Sequence, residues 1–189
     1  MENEYYPWGG EFVACKKDSC VAVVLLTIEY TPKKNVAIFG SLKTENIGIE
    51  KIVANVISNP NIRYLIVCGD EIRGHRSGAS LIALNKNGIN NQHRIIDAPG
   101  AIPYIENLNE DAIERFRKQI EIIDLIGLKE KNKIDSIIDE YINKSPPSFG
   151  KPYIAIKIVA KTATLLDDKR ALHSKIVLNY LGKVKKRGE

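Results

Sequence analysis

Val21-Ala22-Val23-Val24-Leu25-Leu26-Thr27-Ile28 is a continuous, mostly aliphatic run in which β-branched residues dominate. A strand with one wet face would interrupt such a run with polar residues. An unbroken run is expected where both faces are covered, as in a parallel sheet. Tyr64-Leu65-Ile66-Val67-Cys68 is a second run of this kind, and residues 36–39, ending at Gly40, are a shorter one; both predict neighbouring strands. Between them, Ile49, Ile52, Val53, Val56 and Ile57 form the i, i+3, i+4, i+7, i+8 stripe of an amphipathic helix. Asn59-Pro60-Asn61 ends it, because proline lacks the amide proton and pushes the preceding residue out of helical geometry.

The same order repeats downstream. Residues 69–78 read as a glycine-punctuated loop leading to a helix through Leu81, Ile82 and Leu84, which Gly88 can end in left-handed geometry. Residues 94–98 predict another strand, Pro99-Gly100-Ala101-Ile102-Pro103 a second special loop, and Asn109 the cap of a helix with Glu110 and Asp111 in its first turn. Residues 124–126 predict a short strand, and Ile134, Ile137, Ile138, Tyr141 and Ile142 repeat the helical stripe. Alternating strands and helices predict an α/β fold, a Rossmann-like, mostly parallel sheet flanked by helices. Ser145-Pro146-Pro147-Ser148-Phe149-Gly150 reads as a linker, and the alternation over residues 153–158 as an added strand. Beyond it, Asp168 is placed to cap a helix carrying Leu172, Ile176, Val177, Tyr180 and Leu181, ended by Gly182. The expected division is a ligand-binding domain over residues 1–159 and a basic, helical C-terminal extension over residues 160–189.

Composition narrows the function classes. The chain has 189 residues, 44% hydrophobic, enough for a real core and too apolar for general disorder. Its net charge is +5, but residues 1–159 hold equal numbers of acids and bases, so the whole excess lies in the last 30. The main domain therefore lacks the basic surface of a nucleic-acid binder, and only the tail could support that reading. The longest mainly apolar stretch, residues 20–28, is about half of the roughly 20 residues that a membrane-spanning helix needs. With acidic first residues and no signal core, a cytoplasmic protein without a transmembrane segment is expected. Cys15, Cys20 and Cys68 are odd in number and lack Cys-x-x-Cys spacing, which argues against a disulfide framework or zinc knuckle; Cys20 and Cys68 are expected reduced and buried in strands.

Open α/β sheets bind ligands at the carboxyl ends of their strands. The first loop there, Lys43-Thr44-Glu45-Asn46, stands at a helix start that suits an anionic or amide-rich ligand, although taken alone it reads as an ordinary capped start. It is no P-loop, since Ala37 and Leu42 occupy the positions where glycines are required. The second loop, residues 69–80, centres on His75. One histidine cannot build a protein-only metal site, but it can be the axial ligand of a metal held by a macrocycle, a haem or a corrinoid. Without a second ligand or a Cys-x-x-Cys-His site, corrinoid is favoured. His75-Arg76-Ser77-Gly78 matches half of the Asp-x-His-x-x-Gly signature of many cobalamin proteins. Arg73 stands where the aspartate would be, so a carboxylate orienting the imidazole must be Glu45, Asp70 or Glu71. His93 and His173 read as ordinary hydrogen-bonded residues.

Lys43-Thr44-Glu45-Asn46-Ile47-Gly48-Ile49-Glu50-Lys51-Ile52-Val53-Ala54-Asn55-Val56-Ile57-Ser58-Asn59-Pro60-Asn61-Ile62-Arg63 closely resembles the cobamide-binding A subunit of tetrahydromethanopterin S-methyltransferase from methanogenic archaea. The likeness continues through Cys68-Gly69, Gly74-His75, Ser77-Gly78 and Ser80, through Gly100-Ala101-Ile102-Pro103-Tyr104-Ile105-Glu106-Asn107, and through Arg115, Phe116 and Gln119 to residues 124–126, fading after about Ile158. The resemblance implies a Rossmann-like domain that holds cobalamin or 5-hydroxybenzimidazolylcobamide. It also implies that a methyl group passes from methyl-tetrahydromethanopterin to coenzyme M by way of the cobalt, with other methyltransferase subunits as partners. His75 matches the family's axial ligand, and Glu45 is the carboxylate expected to hold the far ring nitrogen. Lys43, Thr44, Asn46, Gly69, Gly74, Ser77, Gly78, Ser80, Gly100, Ala101, Ile102 and Pro103 are the further expected cofactor-binding positions.

Two departures shape the expectation. A basic tail stands where the family carries a C-terminal membrane helix, and Gly40-Ser41-Leu42 replaces the usual Gly-Pro-Cys before Lys-Thr-Glu-Asn. A soluble homologue is expected, either a methyl carrier or a non-catalytic corrinoid store or sensor without sodium-pump coupling.

Overall fold

The structure is a computed structural model that describes residues 5–33 and 35–156, together with the backbone of two short strands near the C-terminus. The chain divides into two compact units, Met1–Lys157 and Ile158–Glu189.

The first unit is built on a five-stranded sheet. Its strands are β1 (Phe12–Ala14), β2 (Val21–Leu25), β3 (Ile38–Ser41), β4 (Tyr64–Gly69) and β5 (Glu121–Ile126), in the spatial order β1-β3-β2-β4-β5. Only β1 runs antiparallel, pairing Val13 with Phe39. The centre is parallel, with Val23 opposite both Phe39 and Ile66, and Ile66 opposite Ile123. All five residues of β2 are buried, and successive ones serve opposite faces. Ala22 and Val24 pack with α1 (Ile47–Ser58), α2 (Ser77–Asn87) and α3 (Glu110–Gln119), whereas Val21, Val23 and Leu25 pack with Ile134 and Ile138 of α4 (Lys131–Lys144). Coverage on both sides is why the run lacks alternation. No helix among the described residues is long and apolar enough to cross a membrane.

Several helix ends follow the sequence. Asn46 Oδ1 accepts from the Ile47 amide, Asn109 Oδ1 from the Ala112 amide, and Gly88 closes α2 with φ of 75°. Gln119, buried at the end of α3, donates its side-chain amide to the carbonyls of Val56, Asn59 and Ile62, and so ties α3 to the last turn of α1.

Four expectations for this unit are corrected, and one of its strands was not foreseen. The edge strand β1 was not anticipated: it is three residues long and largely exposed, so it leaves no burial pattern. Residues 94–98 form no strand; they make only the isolated bridges Ile89↔Ile95 and Arg94↔Tyr104, because positive φ at His93 and Asp97 turns the chain at both sides. Cys20 lies just ahead of β2 rather than within a strand, while Cys68 is in β4, where burial pushes its thiol up to about 11. Residues 145–156 are neither a free linker nor a strand. The Arg63 and Arg115 guanidinium groups both lie over the Phe149 ring, the Phe149 amide donates to Pro60 O, and Arg115 donates to the carbonyls of Phe149 and Lys151. Tyr153 then gives its amide to Ile57 O, so the backbone that a strand would pair with a sheet is used in strapping α1.

In the second unit, β6 (Ile176–Leu178) and β7 (Val184–Lys186) form an antiparallel pair with Val177 opposite Lys185. The expected helix therefore fails at Ile176 and Val177, whose β-branched side chains favour a strand. Its remaining positions, including Asp168, Leu172, Tyr180 and Leu181, lie outside the described residues, as does His173.

Candidate functional site

Three loops meet at the carboxyl ends of the parallel strands. One leads from β3 into α1 and carries Glu45; one leads from β4 into α2 and carries His75; the third is the segment around Gly100. Glu45 is 3% exposed. Its Oε1 accepts from the Ile102 amide at 3.0 Å and its Oε2 lies 2.9 Å from His75 Nδ1. Burial raises the Glu45 carboxyl, but hydrogen bonds from its own backbone, from Ile102 and from His75, with the nearby imidazole charge, outweigh that effect and hold it below the usual carboxylate range. An ionised carboxylate only accepts, so Nδ1 carries the proton, and the Nε2 of a neutral ring presents a lone pair. The His75 side chain is 53% exposed, which leaves it open to a ligand.

The sequence left three carboxylates open as the partner of His75, and the structure separates them. Glu45 meets the ring. Asp70 pairs with Lys129 at 2.7 Å. Glu71 accepts from the amides of Gly78 and Ala79 at 3.3 and 2.6 Å, capping α2. That cap replaces one at Arg76, which sits in left-handed geometry at φ of 43° with no side-chain capping bond.

Gly100 locks the arrangement. A Cβ there would lie 2.7 Å from His75 O and 2.8 Å from both Glu45 Cγ and Ser80 Oγ. The Gly100 amide donates to Ser80 Oγ, which donates to Arg76 O. Only a residue without a side chain lets the third loop close over the other two.

The remaining predicted positions divide between support and surface. Ser77, Gly78 and Ser80 are buried, and a Cβ on Gly78 would sit 2.8 Å from Leu26 Cδ1, so they seat α2 on the sheet. Gly69 has φ of 94° and packs against Ile28, and Gly74 turns the His75 loop with φ of 88°. Thr44 Oγ1 accepts from the Gly48 amide, Asn46 caps α1, and exposed Lys43 pairs with Glu11 at 2.6 Å. Pro103 is buried, whereas Ala101 and Ile102 are exposed.

Two contributions escaped the sequence reading. Glu50, 1% exposed on α1, accepts from the amides of Glu106 and Asn107 and from Asn107 Nδ2. The available signal was a carboxylate set beside the apolar stripe of Ile49, Ile52 and Val53. The other is apolar surface: Ile47, Ile72 and Ile102, one from each loop region, are exposed. Among the described residues, no three of His, Cys, Asp and Glu gather as a metal site. The donor set is a single imidazole with a fixed proton, which suits a metal whose other ligands come from a macrocycle.

Comparison with known proteins bears on this arrangement. The family model for the A subunit of tetrahydromethanopterin S-methyltransferase, MtrA, matches residues 2–164. The chain is 49% identical over 144 residues to the protein of Methanosarcina acetivorans named as the A subunit of the methyltransferase Mtx, covering 76% of this chain and 73% of that protein. Methanothermobacter thermautotrophicus has two tetrahydromethanopterin S-methyltransferase A subunits, numbered 1 and 2. To the first the chain is 46% identical over 153 residues, covering 79% of this chain and 64% of that one. To the second it is 49% identical over 153 residues, covering 79% of this chain and 84% of the relative.

Proposed function

The chain belongs to the MtrA family, the A subunits of tetrahydromethanopterin S-methyltransferase, and from that premise we propose that it is a corrinoid-binding methyl carrier between methyl-tetrahydromethanopterin and coenzyme M, with His75 as the lower axial ligand of cobalt. The observation that carries the reading is the half-exposed His75 imidazole, held through Nδ1 by buried Glu45. When bound, the corrinoid supplies a cobalt centre able to accept and release a methyl group.

The chain's own residues act around that centre. Glu45 keeps the proton on Nδ1, fixes the ring plane and makes Nε2 the better donor, as carboxylates do behind metal-bound histidines. The Ile102 amide holds the second oxygen of Glu45, so the carboxylate has one orientation. Gly100 brings this amide close, and the exposed Ile47, Ile72 and Ile102 offer apolar surface on which a large flat ligand can exclude water. Other subunits of a methyltransferase would deliver and remove the methyl group.

The test is optical. Adding hydroxocobalamin to the purified chain should shift the visible spectrum, and His75→Ala should abolish that shift with the fold intact by circular dichroism. Identical spectra for the two proteins would refute axial ligation.

A further inference from the structure

A polar cavity of about 170 Å³ lies at the amino end of the parallel sheet, the end opposite His75. Its walls come from chain about to enter three strands: the turn at residues 16–19 ahead of β2, Asn35 ahead of β3 and Asn61 ahead of β4. Ile142 and Pro146, at the carboxyl end of α4, close another side. The volume is slightly above the approximately 150 Å³ that accepts benzene in a well-studied core and below the roughly 300–1,000 Å³ of pockets for larger ligands. A molecule of about benzene's size fits it.

The cavity offers more acceptors than the protein uses. Asn35 Nδ2 donates to Asp139 Oδ1 at 2.9 Å, which turns the Asn35 Oδ1 the other way; that oxygen is buried and has no partner among the described residues. A buried acceptor left unpaired is costly, so this one calls for a donor. Asn61 is oriented in the same manner: its Nδ2 donates to Lys17 O at 3.2 Å, and its Oδ1 has no partner among the described residues. Lys16 and Asp18 are exposed on the turn between, and neither forms an ion pair among the described residues. The turn itself is fixed. The Ser19 amide donates to Lys16 O, and Lys17 O accepts from both the Asn59 and Asn61 side chains.

We infer that this cavity binds a small zwitterionic amino acid. The three donors of its ammonium group meet the Asn35 and Asn61 amide oxygens and the Asp18 carboxylate, and the negative end of the α4 dipole adds to the attraction. Its carboxylate goes to Lys16, and its short carbon body rests on Ile142 and Pro146. A simple cation or a simple anion would use only one of the two free charges on the turn. The site stands apart from His75 and does not depend on the corrinoid reading.

The full chain, labelled with the heavy isotope of nitrogen, is titrated with L-alanine and followed by nuclear magnetic resonance at the side-chain amides of Asn35 and Asn61. Both signals should move along one saturation curve. Isobutyrate, in which a methyl group replaces the ammonium of alanine, should leave them in place. Isopropylammonium, in which a methyl group replaces the carboxylate, should bind roughly fivefold more weakly than alanine, the effect of one exposed charge interaction. Lys16→Gln and Asp18→Asn should each weaken alanine by a similar factor, with the other amide signals unmoved because both residues are exposed. Signals that stay in place with alanine would mean that the cavity holds water only and would overturn the site. Equal movement with isobutyrate, or alanine affinity unchanged in both variants, would overturn it as well.

Discussion

The loop that enters α1 and the first turn of α1 each hold a buried carboxylate, Glu45 and Glu50, and the two are used differently. Glu50 accepts three hydrogen bonds, all from residues 106 and 107. Glu45 accepts one bond from the same segment, at Ile102, and gives its other oxygen to a half-exposed imidazole. Both carboxylates pin residues 100–107 onto α1. Only Glu45 links that segment to a side chain open to a ligand, so the contrast separates holding a loop from tuning a donor.

Removing Glu50 should have the largest effect on stability. Glu50→Ala strands two amides and the Asn107 side chain, and is expected to cost about 3 kcal/mol or more, read from the urea midpoint at unchanged slope. A loss below about 1 kcal/mol, within the range of a single net hydrogen bond, would break the comparison.

Gly100→Ala comes next. The new methyl would press on His75 O, Glu45 Cγ and Ser80 Oγ, which predicts a loss of about 1–3 kcal/mol together with weakened cobalamin binding. Unchanged stability and binding would show that the loops can separate freely.

Glu45→Gln should barely disturb the fold, by about 1 kcal/mol, because its amide oxygen can still accept from Ile102. Its nitrogen would now donate to Nδ1, moving the ring proton to Nε2 and closing the donor site. The cobalamin spectral shift should therefore be lost although His75 is present. A pH dependence accompanies it. The folded Glu45 carboxyl titrates below its unfolded value, so its stabilisation is complete above the ordinary carboxylate range and is lost as pH falls through the folded value. Glu45→Gln should flatten that part of the acid limb; an unaltered limb would argue against an ionised Glu45.

The residues that were easiest to read are those whose role is repeated along the chain. Buried on both faces, β2 and β4 show it in every residue, and α1 and α4 carry stripes set by the helical period. His75 and the Lys43–Asn46 loop were legible because they fall at strand ends, and Glu45 was already among the partners considered. The Glu50 clamp was not, since its partners lie 56 and 57 residues away and no local pattern encodes such a contact. Phe149 was misread for a related reason: Ser145-Pro146-Pro147-Ser148 has the composition of a linker, but the arginines that hold the segment come from β4's approach and from α3. Likewise, β1 is too short and exposed to show a period, and it exists because Gly40 allows close approach. A Cβ at Gly40 would lie 2.6 Å from Glu11 O.

Electron paramagnetic resonance tests the central claim most directly. The chain, uniformly labelled with the heavy isotope of nitrogen, is loaded with unlabelled cob(II)alamin, whose unpaired electron splits on its axial nitrogen. Ligation by His75 predicts that the triplet seen with unlabelled protein becomes a doublet. A triplet that persists in the labelled protein would place the cofactor's own base on cobalt and contradict the account.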